Sequence, residues 1–170
     1  MKILSIDPGF ERMGVAILEQ ARGAAKPCVL YSICVRTNPK DAFHVRLKAL
    51  GDALQKILGE HKPEALAIEK LFFATNQRNA LSVAEARGVA VYEAAQHGLS
   101  LFEYTPIQIK VAVTGYGHAT KKQIILMTQN LAEFKDTEKN LRGKTRSDDE
   151  FDAIAIGLTH LAYSRPFLKK

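Results

Sequence analysis

The chain begins with a short apolar strand that ends on a carboxylate. Residues Lys2–Asp7 read K-I-L-S-I-D and lead directly into Pro8 and Gly9, a pair that interrupts strands and forms turns. Asp7 therefore stands at the carboxyl end of a strand, which is where open α/β sheets bind their ligands. This feature predicts an α/β fold whose functional site lies at the sheet edge where the first strand ends.

A second predicted strand also ends on a carboxylate. Residues Glu64–Glu69 form a short apolar run that ends on Glu69, and a stretch with apolar residues at helical spacing, Asp41–His61, precedes it. Asp41 is the expected N-cap of that helix. Because a helix between two strands of one sheet implies a parallel crossover connection, we expect the carboxyl ends of the two strands to lie side by side. This arrangement would bring Asp7 and Glu69 into one site.

The other periodic segments complete a five-stranded mixed sheet flanked by helices. We predict further strands over three segments: 13–19, 29–36 and 99–103. We predict further helices over four segments: 79–96, 107–114, 121–134 and 149–163. Thr105 before Pro106, and Thr120, are helix-start signals. The basic stretch 135–147 is expected to be a loop, and residues 1–170 are expected to form one domain with a frayed tail at 166–170.

Small residues recur at helical spacing in the predicted helix 79–96. The stripe consists of Leu81, Ala84, Gly88, Val91 and Ala95. Small side chains in this pattern let another element approach the helix closely. Packing against the sheet of the same chain is the favoured interpretation, and a seam between two copies of the chain is the alternative.

A third group of carboxylates opens the last predicted helix. Asp152 lies three residues after Asp149 and four residues after Asp148, and each of these spacings places the pair on one face of a helix. Acidic residues in a first turn also complement the helix dipole, and Asp148 as the N-cap needs no other explanation. The dipole does not explain Asp7 and Glu69, which follow apolar strands. The three groups together predict one acidic site.

The chemistry of this site follows from its ligands. Four converging carboxylates would repel one another strongly without a cation. A set of oxygen ligands without His or Cys is typical of hard metals, so Mg²⁺ is predicted, with Mn²⁺ as a substitute. Two such ions can activate a water molecule and stabilise the leaving oxygen in phosphoryl transfer. The pattern therefore predicts a metal-dependent nuclease.

Composition agrees with an acidic partner and an ordinary globular chain. The 170 residues are 46% hydrophobic and 25% charged, and the formal net charge is +6, which favours a polyanion such as nucleic acid.

Cys28 and Cys34 lie on one predicted strand, roughly 20 Å apart at about 3.3 Å per residue, so they cannot form a disulfide with each other. We expect two buried thiols in a cytoplasmic protein. No apolar run is long enough to span a membrane.

Five motifs resemble those of the RuvC family of crossover (Holliday) junction endodeoxyribonucleases, colinear over nearly the whole chain. They are I-D-P-G-x-x-x-x-G at 6–14, A-I-E-x-x-F at 67–72, A-R-G-V-A at 86–90, G-x-G-x-x-x-K at 115–121 and D-x-x-D-A-I-A-I-G-L-T-H at 149–160. The resemblance implies a ribonuclease-H-like fold, a homodimer that uses Mg²⁺, and paired symmetric nicks in four-way DNA junctions. A branch-migration motor complex is a further partner to be considered.

The resemblance also implies roles for individual residues. It makes Asp7, Glu69, Asp149 and Asp152 the metal ligands. It makes Lys110 and Lys121 contacts to DNA, although the residues alone favour solvated helix lysines. Phe72 falls where the family has an aromatic side chain near the cleaved step, and we expect the adjacent Phe73 to be the core residue of the pair.

The sequence departs from the family pattern around the third acidic group. The basic loop before Asp149 is longer than usual, and Asp148 and Glu150 crowd the acidic cluster. The choice between Asp148 and Asp149 as the third ligand therefore stays open, although the spacing to Asp152 favours Asp149.

Three other functions are considered. A related nuclease acting on RNA precursors is the main alternative. A non-catalytic junction-binding protein is a second, but such a protein would be expected to lack one of the carboxylates. An actin-like or sugar-kinase ATPase is a third, but those folds need a second D-x-G motif and a second related domain, which this chain lacks.

Overall fold

A computed structural model of the chain describes residues 1–71, 77–135 and 146–164, the side chains of 77–79 excepted. The strands within these ranges are β1 (Lys2–Asp7), β2 (Arg12–Glu19), β3 (Cys28–Arg36), β4 (Ala65–Glu69), β5 (Ser100–Tyr104) and β6 (Glu133–Phe134). The helices are α1 (Phe43–His61), α2 (Gln77–Gln96), α3 (Pro106–Thr114), α4 (Lys121–Leu131) and α5 (Asp148–Ser164).

The strands form one mixed sheet in the order β5-β4-β1-β2-β3-β6. The first three strands pair antiparallel in sequence, whereas β4 pairs parallel with β1 and β5 pairs parallel with β4. The crossover through α1 therefore places β4 beside β1, and this prediction is confirmed. The carboxyl ends of β1, β4 and β5 lie at the same edge of the sheet.

Strand alternation divides the interior into two layers. In β1, Leu4 and Ile6 belong to the apolar cluster shared with α1 and α2. Ile3 belongs to the cluster shared with α3, α4 and α5 on the opposite face. Because side chains two residues apart point to the same face, Asp7 follows Ile3 toward the α5 layer. The helix that carries the third acidic group thus lies on the face that Asp7 points to.

Helix α5 lies unusually close to the sheet at Gly157. A Cβ atom at this position would lie 2.6 Å from Leu18 Cδ1 and 2.9 Å from Ser5 Oγ. A side chain at this position would force Leu18 and Ser5, or the helix itself, to move. The close packing fixes the height of α5 above the strand that ends on Asp7.

The sheet has six strands rather than the predicted five. Helix α4 ends at Leu131 instead of continuing to residue 134, and β6 pairs parallel with the start of β3. The backbone N–H groups of Glu133 and Lys135 donate to the carbonyl oxygens of Pro27 and Val29, at 2.9 and 3.2 Å. A two-residue strand is too short to show alternation in the sequence, so this part of the prediction was wrong.

Helix starts agree with the sequence where both halves of a capping box are present. Thr105 and Thr120 cap α3 and α4, and each accepts a hydrogen bond from the backbone N–H of a glutamine three residues on, Gln108 and Gln123. The expected N-cap of α1 is wrong. Ala42 occupies that position without a side-chain hydrogen bond. Asp41 instead accepts a hydrogen bond from Asn38 Nδ2, at 3.0 Å, within the preceding turn.

The first turn of α5 also differs from the expectation. The backbone N–H groups of Glu150 and Phe151 donate to the carbonyl oxygen of Ser147, at 3.1 and 3.2 Å. Glu150 Oε1 in turn accepts from the backbone N–H of Ser147, at 3.2 Å. Ser147 and Glu150 therefore close the helix start with the S-x-x-E spacing of a capping box. Asp148 is the first helical residue and not the N-cap.

The small-residue stripe of α2 faces mainly away from the chain's own core. Leu81 is 72% exposed, and a Cβ atom on Gly88 would meet no atom within 4 Å. The helix instead packs toward α1 through the buried residues Ala86, Ala90 and Ala94. The favoured interpretation, packing of the stripe within the chain, was therefore wrong for Leu81 and Gly88, whereas Val91 packs against the core cluster shared with α1.

Two smaller expectations also have outcomes. Cys28 and Cys34 are both free thiols, as predicted, but each is half-buried rather than buried. Across the described ranges, the helices include none that is both long enough and apolar enough to cross a membrane. The stretch 136–145 of the expected basic loop and the expected tail at 166–170 lie outside the described residues.

Candidate active site

The site is built on the ends of two neighbouring parallel strands. Ile6 of β1 pairs with Ile68 of β4, so Asp7 and Glu69 follow as neighbours at the next position. Both are only partly buried, whereas the four residues before each are fully buried. The apolar strands thus hold the two carboxylates at the rim of the core, on the side of α5.

Gly14 lets α5 reach this rim. It is the antiparallel partner of Asp7 on β2. A Cβ atom on Gly14 would overlap the carbonyl oxygen of Asp149 and would lie 3.3 Å from Asp7 Cβ. The backbone at Asp149 therefore rests directly on the glycine, beside Asp7, and brings the first turn of α5 to the strand ends.

The charge of Asp7 is strongly disfavoured. Burial raises its pKa from the ordinary value of 3.8 to about 8, and neighbouring carboxylates add to the effect. These neighbours, in decreasing order of influence, are Glu69, Asp152 and Asp149. The structure therefore brings together the four carboxylates that the sequence singled out, close enough for their charges to oppose one another.

Two lysines approach the same carboxylates. Lys121 Nζ donates to Asp152 Oδ2 at 2.9 Å, and the charge of Lys110 favours ionised Glu69. Burial nevertheless raises the pKa of both carboxyl groups, Glu69 and Asp152, and outweighs the lysines. Both predicted DNA-contacting lysines thus lie beside the acidic cluster rather than on a remote surface.

Asp149 differs from its neighbours because it is already paired. Arg12 donates to its Oδ2 through Nε at 2.8 Å and also through Nη2, and Cys34 Sγ donates to the same oxygen at 3.3 Å. Burial opposes ionisation of Asp149, but these contacts outweigh burial and leave its pKa below the ordinary value. The sequence analysis missed Arg12 and Cys34. The register of β2 and β3 would have indicated Cys34, because Cys34 pairs with Gly14, which in turn pairs with Asp7.

Of the two residues expected to crowd the cluster, Asp148 lies beside it and adds to the effect of burial in raising the pKa of Asp152, whereas Glu150 turns away from it. The side chain of Asp148 is 61% exposed and lies 3.6 Å from Lys121 Nζ. Glu150 is buried and accepts a hydrogen bond from Ser32 Oγ of β3 at 2.7 Å. The side chain of Asp148 is therefore exposed to solvent, and that of Glu150 is buried against β3. Asp149 and Asp152 face the strand ends.

The donor chemistry of the cluster suits a hard divalent cation. Carboxylate oxygens are the preferred ligands of Mg²⁺ and Mn²⁺, and three neighbouring carboxylates add to the effect of burial in raising the pKa of Asp7. As the side chains lie, no group of three or more His, Cys, Asp or Glu residues in the described ranges is arranged to hold a metal ion. Asp149 and Asp152 face Arg12 and Lys121 instead, so metal binding at the paired oxygens needs these side chains to rearrange.

One predicted residue cannot be placed. Phe72 and its neighbour Phe73 lie outside the described residues. The expectation that Phe72 stacks on a base while Phe73 belongs to the core stays a prediction.

The pKa of Asp7 predicts an unusual pH dependence of stability without metal. The folded state holds a proton on Asp7 up to about pH 8, whereas the unfolded state releases it near 3.8. Stability in chelator should therefore fall as pH rises between these values. Asp7→Asn should be about as stable as wild type near pH 4 and increasingly more stable toward pH 8. Urea melts of both proteins at several pH values measure this, and a difference independent of pH would contradict it.

The chain is similar over nearly its whole length to proteins of one family. The family model described as crossover junction endodeoxyribonuclease RuvC matches residues 3–160. A protein of that name from Desulforamulus reducens is 40% identical over 98% of this chain and 97% of its own length. The Thermus thermophilus RuvC structure is 31% identical, with a TM-score of 0.83 over 97% of this chain and 96% of that one.

A second Thermus thermophilus structure, RuvC in complex with Holliday junction substrate, has a TM-score of 0.85 at 31% identity. It covers 97% of this chain and 95% of that chain. The likeness confirms the predicted ribonuclease-H-like fold. With two carboxylates on parallel strand ends, two more on the last helix and this match along nearly the whole length, the chain belongs to the RuvC family of crossover junction endodeoxyribonucleases.

Proposed function

We propose that this protein is an Mg²⁺-dependent endonuclease that resolves four-way DNA junctions by paired symmetric nicks. The observation that carries the proposal is the cluster of four carboxylates around Asp7, with Lys121 beside Asp152 and the charge of Lys110 acting on Glu69. The Thermus thermophilus relative, whose fold this chain shares, has been captured with a Holliday junction substrate. The substrate is proposed here by that likeness.

Asp7, Glu69, Asp149 and Asp152 would hold the metal. When bound, Mg²⁺ would neutralise the carboxylates, activate a water molecule and stabilise the leaving oxygen of the phosphodiester. The strand ends hold Asp7 and Glu69 rigidly, because each follows four buried residues. The two helical carboxylates would have to leave their present partners, which are Arg12 and Cys34 for Asp149 and Lys121 for Asp152. Fixed strand ligands and adjustable helix ligands together suit a site that assembles around its ion.

Lys110 and Lys121 would hold the phosphate backbone of the cleaved strand. The side chain of Lys121 is 49% exposed, so it can leave Asp152 and reach a phosphate without unfolding any element. A lysine at this place also offsets the negative charge that would otherwise repel DNA from the carboxylates. This gives the acidic site a cationic border in a chain whose net charge is +6.

Junction binding should fall steeply with salt because several phosphates are neutralised at once. Lys110→Ala and Lys121→Ala should each reduce the log–log salt slope by about one unit and lower cleavage. The loss should be similar for junctions of different sequence, since phosphate contacts carry no base information.

Fluorescence anisotropy at several salt concentrations measures the slope. Lys56→Ala is the matched control, because Lys56 belongs to α1 on the opposite face of the sheet and should keep the wild-type slope. A lysine variant that changed only the preferred cleavage sequence would contradict a phosphate contact.

A homodimer would supply the two active sites that paired nicks require. Support for this comes from α2, whose exposed face carries Leu81 and Gly88 together with Tyr92, which is 59% exposed. A glycine open to its surroundings beside apolar side chains allows close approach of a second helix. Sedimentation equilibrium tests the dimer, and Gly88→Glu should yield monomers. The branch-migration motor complex stays a proposal from family likeness alone.

One experiment separates the candidate functions. The protein is incubated with a synthetic four-way junction, a linear duplex of the same sequence and a structured RNA, each with Mg²⁺ and with chelator. Nicking of the junction alone, at symmetric positions and only with Mg²⁺, is the expected result. Cleavage of the RNA in preference to the junction would favour the RNA-processing alternative. Junction binding without cleavage would favour the non-catalytic one.

A further inference from the structure

Arg12 donates two hydrogen bonds to one carboxylate of the site, that of Asp149. Its Nε and Nη2 atoms both donate to Oδ2 of Asp149, and Cys34 Sγ donates to the same oxygen. Oδ2 of Asp149 therefore faces the protein's own cation in this structure and can bind a metal ion only after these donors have moved.

The contact can be released without disturbing the fold. The backbone of Asp149 is fixed by its contact with Gly14, so only the side chains of Asp149 and Arg12 need to move. The side chain of Arg12 is 46% exposed, whereas that of Asp149 is 19% exposed. Arg12 therefore reaches in from solvent and can swing back into it.

We propose that Arg12 is a positioning residue that competes with the divalent metal for Asp149 and so lowers the metal affinity of the DNA-free enzyme. The inference rests on the proposed metal site and adds a residue that the acidic motif does not contain. A guanidinium is charged at every accessible pH, so it occupies Asp149 whether or not Asp7 carries a proton. Metal binding through Oδ2 must break the Arg12 contacts, and their free energy is subtracted from the affinity.

The opposite effect of Arg12 is also physically reasonable and must be distinguished. A cation that holds a carboxylate in its metal-binding rotamer would preorganise the site, and its removal would weaken metal binding. The two roles predict opposite signs for the same substitution. The sign of the change in affinity therefore decides between them.

The test is an Mn²⁺ titration of the DNA-free protein, read as free Mn²⁺ by electron paramagnetic resonance. Arg12→Gln should bind Mn²⁺ at least about 5-fold more tightly than wild type, the lower end of typical coupling between two sites. Arg12→Lys, which keeps the charge, should stay nearer to wild type. The Mg²⁺-induced rise in melting temperature should be largest for Arg12→Gln, and that of Arg12→Lys should stay nearer to wild type.

Arg36→Gln is the matched control. Arg36 pairs with Arg12 across the β2–β3 ladder, so the substitution removes the same charge from the same sheet edge. Arg36 forms no ion pair with any residue in the described parts of the chain. Its variant should bind Mn²⁺ as wild type does. An equal gain in Arg36→Gln would assign the effect to net charge and overturn the role of Arg12, as would unchanged or weaker binding in Arg12→Gln.

Failure of the inference and failure of the proposed function give different results. If Asp7→Asn binds Mn²⁺ as tightly as wild type, the proposed metal site is wrong and Arg12 has nothing to compete for. If Asp7→Asn loses binding while Arg12→Gln matches wild type, the metal site stands and the competition is refuted.

Discussion

Asp7→Asn is expected to abolish junction cleavage while leaving junction binding nearly intact. Asparagine has almost the same shape as aspartate but cannot supply the negative charge that a metal ligand needs. Loss of metal-based stabilisation of the transition state removes several kcal/mol, and at about 1.4 kcal/mol per tenfold change in rate this is roughly 10³-fold. Glu69→Gln should behave in the same way, because Glu69 occupies the equivalent position on the neighbouring strand.

Binding should survive because affinity for DNA comes mainly from basic side chains. Single-turnover cleavage and anisotropy on the same junction measure the two effects separately. Asp148→Asn is the matched control, since Asp148 belongs to the same acidic group but its side chain is 61% exposed. It should cleave within a few-fold of wild type. Near-normal, Mg²⁺-dependent nicking by Asp7→Asn would refute the metal site, and loss of activity in Asp148→Asn alone would mean that Asp148, not Asp149, is the third ligand of the site.

Gly14→Ala is expected to damage stability and activity together, although it adds only one methyl group. The new Cβ atom would overlap the carbonyl oxygen of Asp149, and backbone cannot give way as a flexible side chain can. Overpacking of this kind costs about 1–3 kcal/mol of unfolding free energy. Relief of the overlap must move the first turn of α5 away from Asp7, and a displacement of about 1 Å at a catalytic site costs roughly 10²-fold in rate.

Urea melts and single-turnover cleavage measure the two consequences. Gly59→Ala is the control, because a Cβ atom at this exposed helical position would meet no atom within 4 Å. Alanine there should stabilise α1 slightly through its higher helix propensity. If Gly14→Ala melted and cleaved like wild type, Asp149 would not depend on the contact between helix and strand, and the account of how α5 is positioned would be wrong.

The acidic motif at the strand ends could be read from the sequence because it depends on local and topological rules. An apolar run followed by a carboxylate and a turn marks a strand end, and a helix between two strands implies a parallel neighbour. These rules place Asp7 beside Glu69 without any knowledge of side-chain contacts. Alternation along β1 further predicts that Asp7 points to one defined face of the sheet.

Other features were missed because their signals are short or come from two distant segments. A two-residue strand such as β6 shows no period. Asp148 is the first residue of α5 and not its N-cap, because Ser147 and Glu150 close the helix start through their mutual contacts. The exposure of the α2 stripe depends on which face of that helix α1 covers, and the sequence of α2 alone cannot say this.

The sequence by itself determined which carboxylates this protein has and at which ends of strands and helices they stand, because periodicity and turn chemistry act over a few residues. Only the tertiary structure decided which basic side chains pair with those carboxylates. Arg12 and Asp149 are 137 residues apart in the chain, yet they form an ion pair. Such contacts arise where β2 and α5 pack together at Gly14. No local pattern encodes that pairing, because it depends on the height and register at which the last helix lies on the sheet.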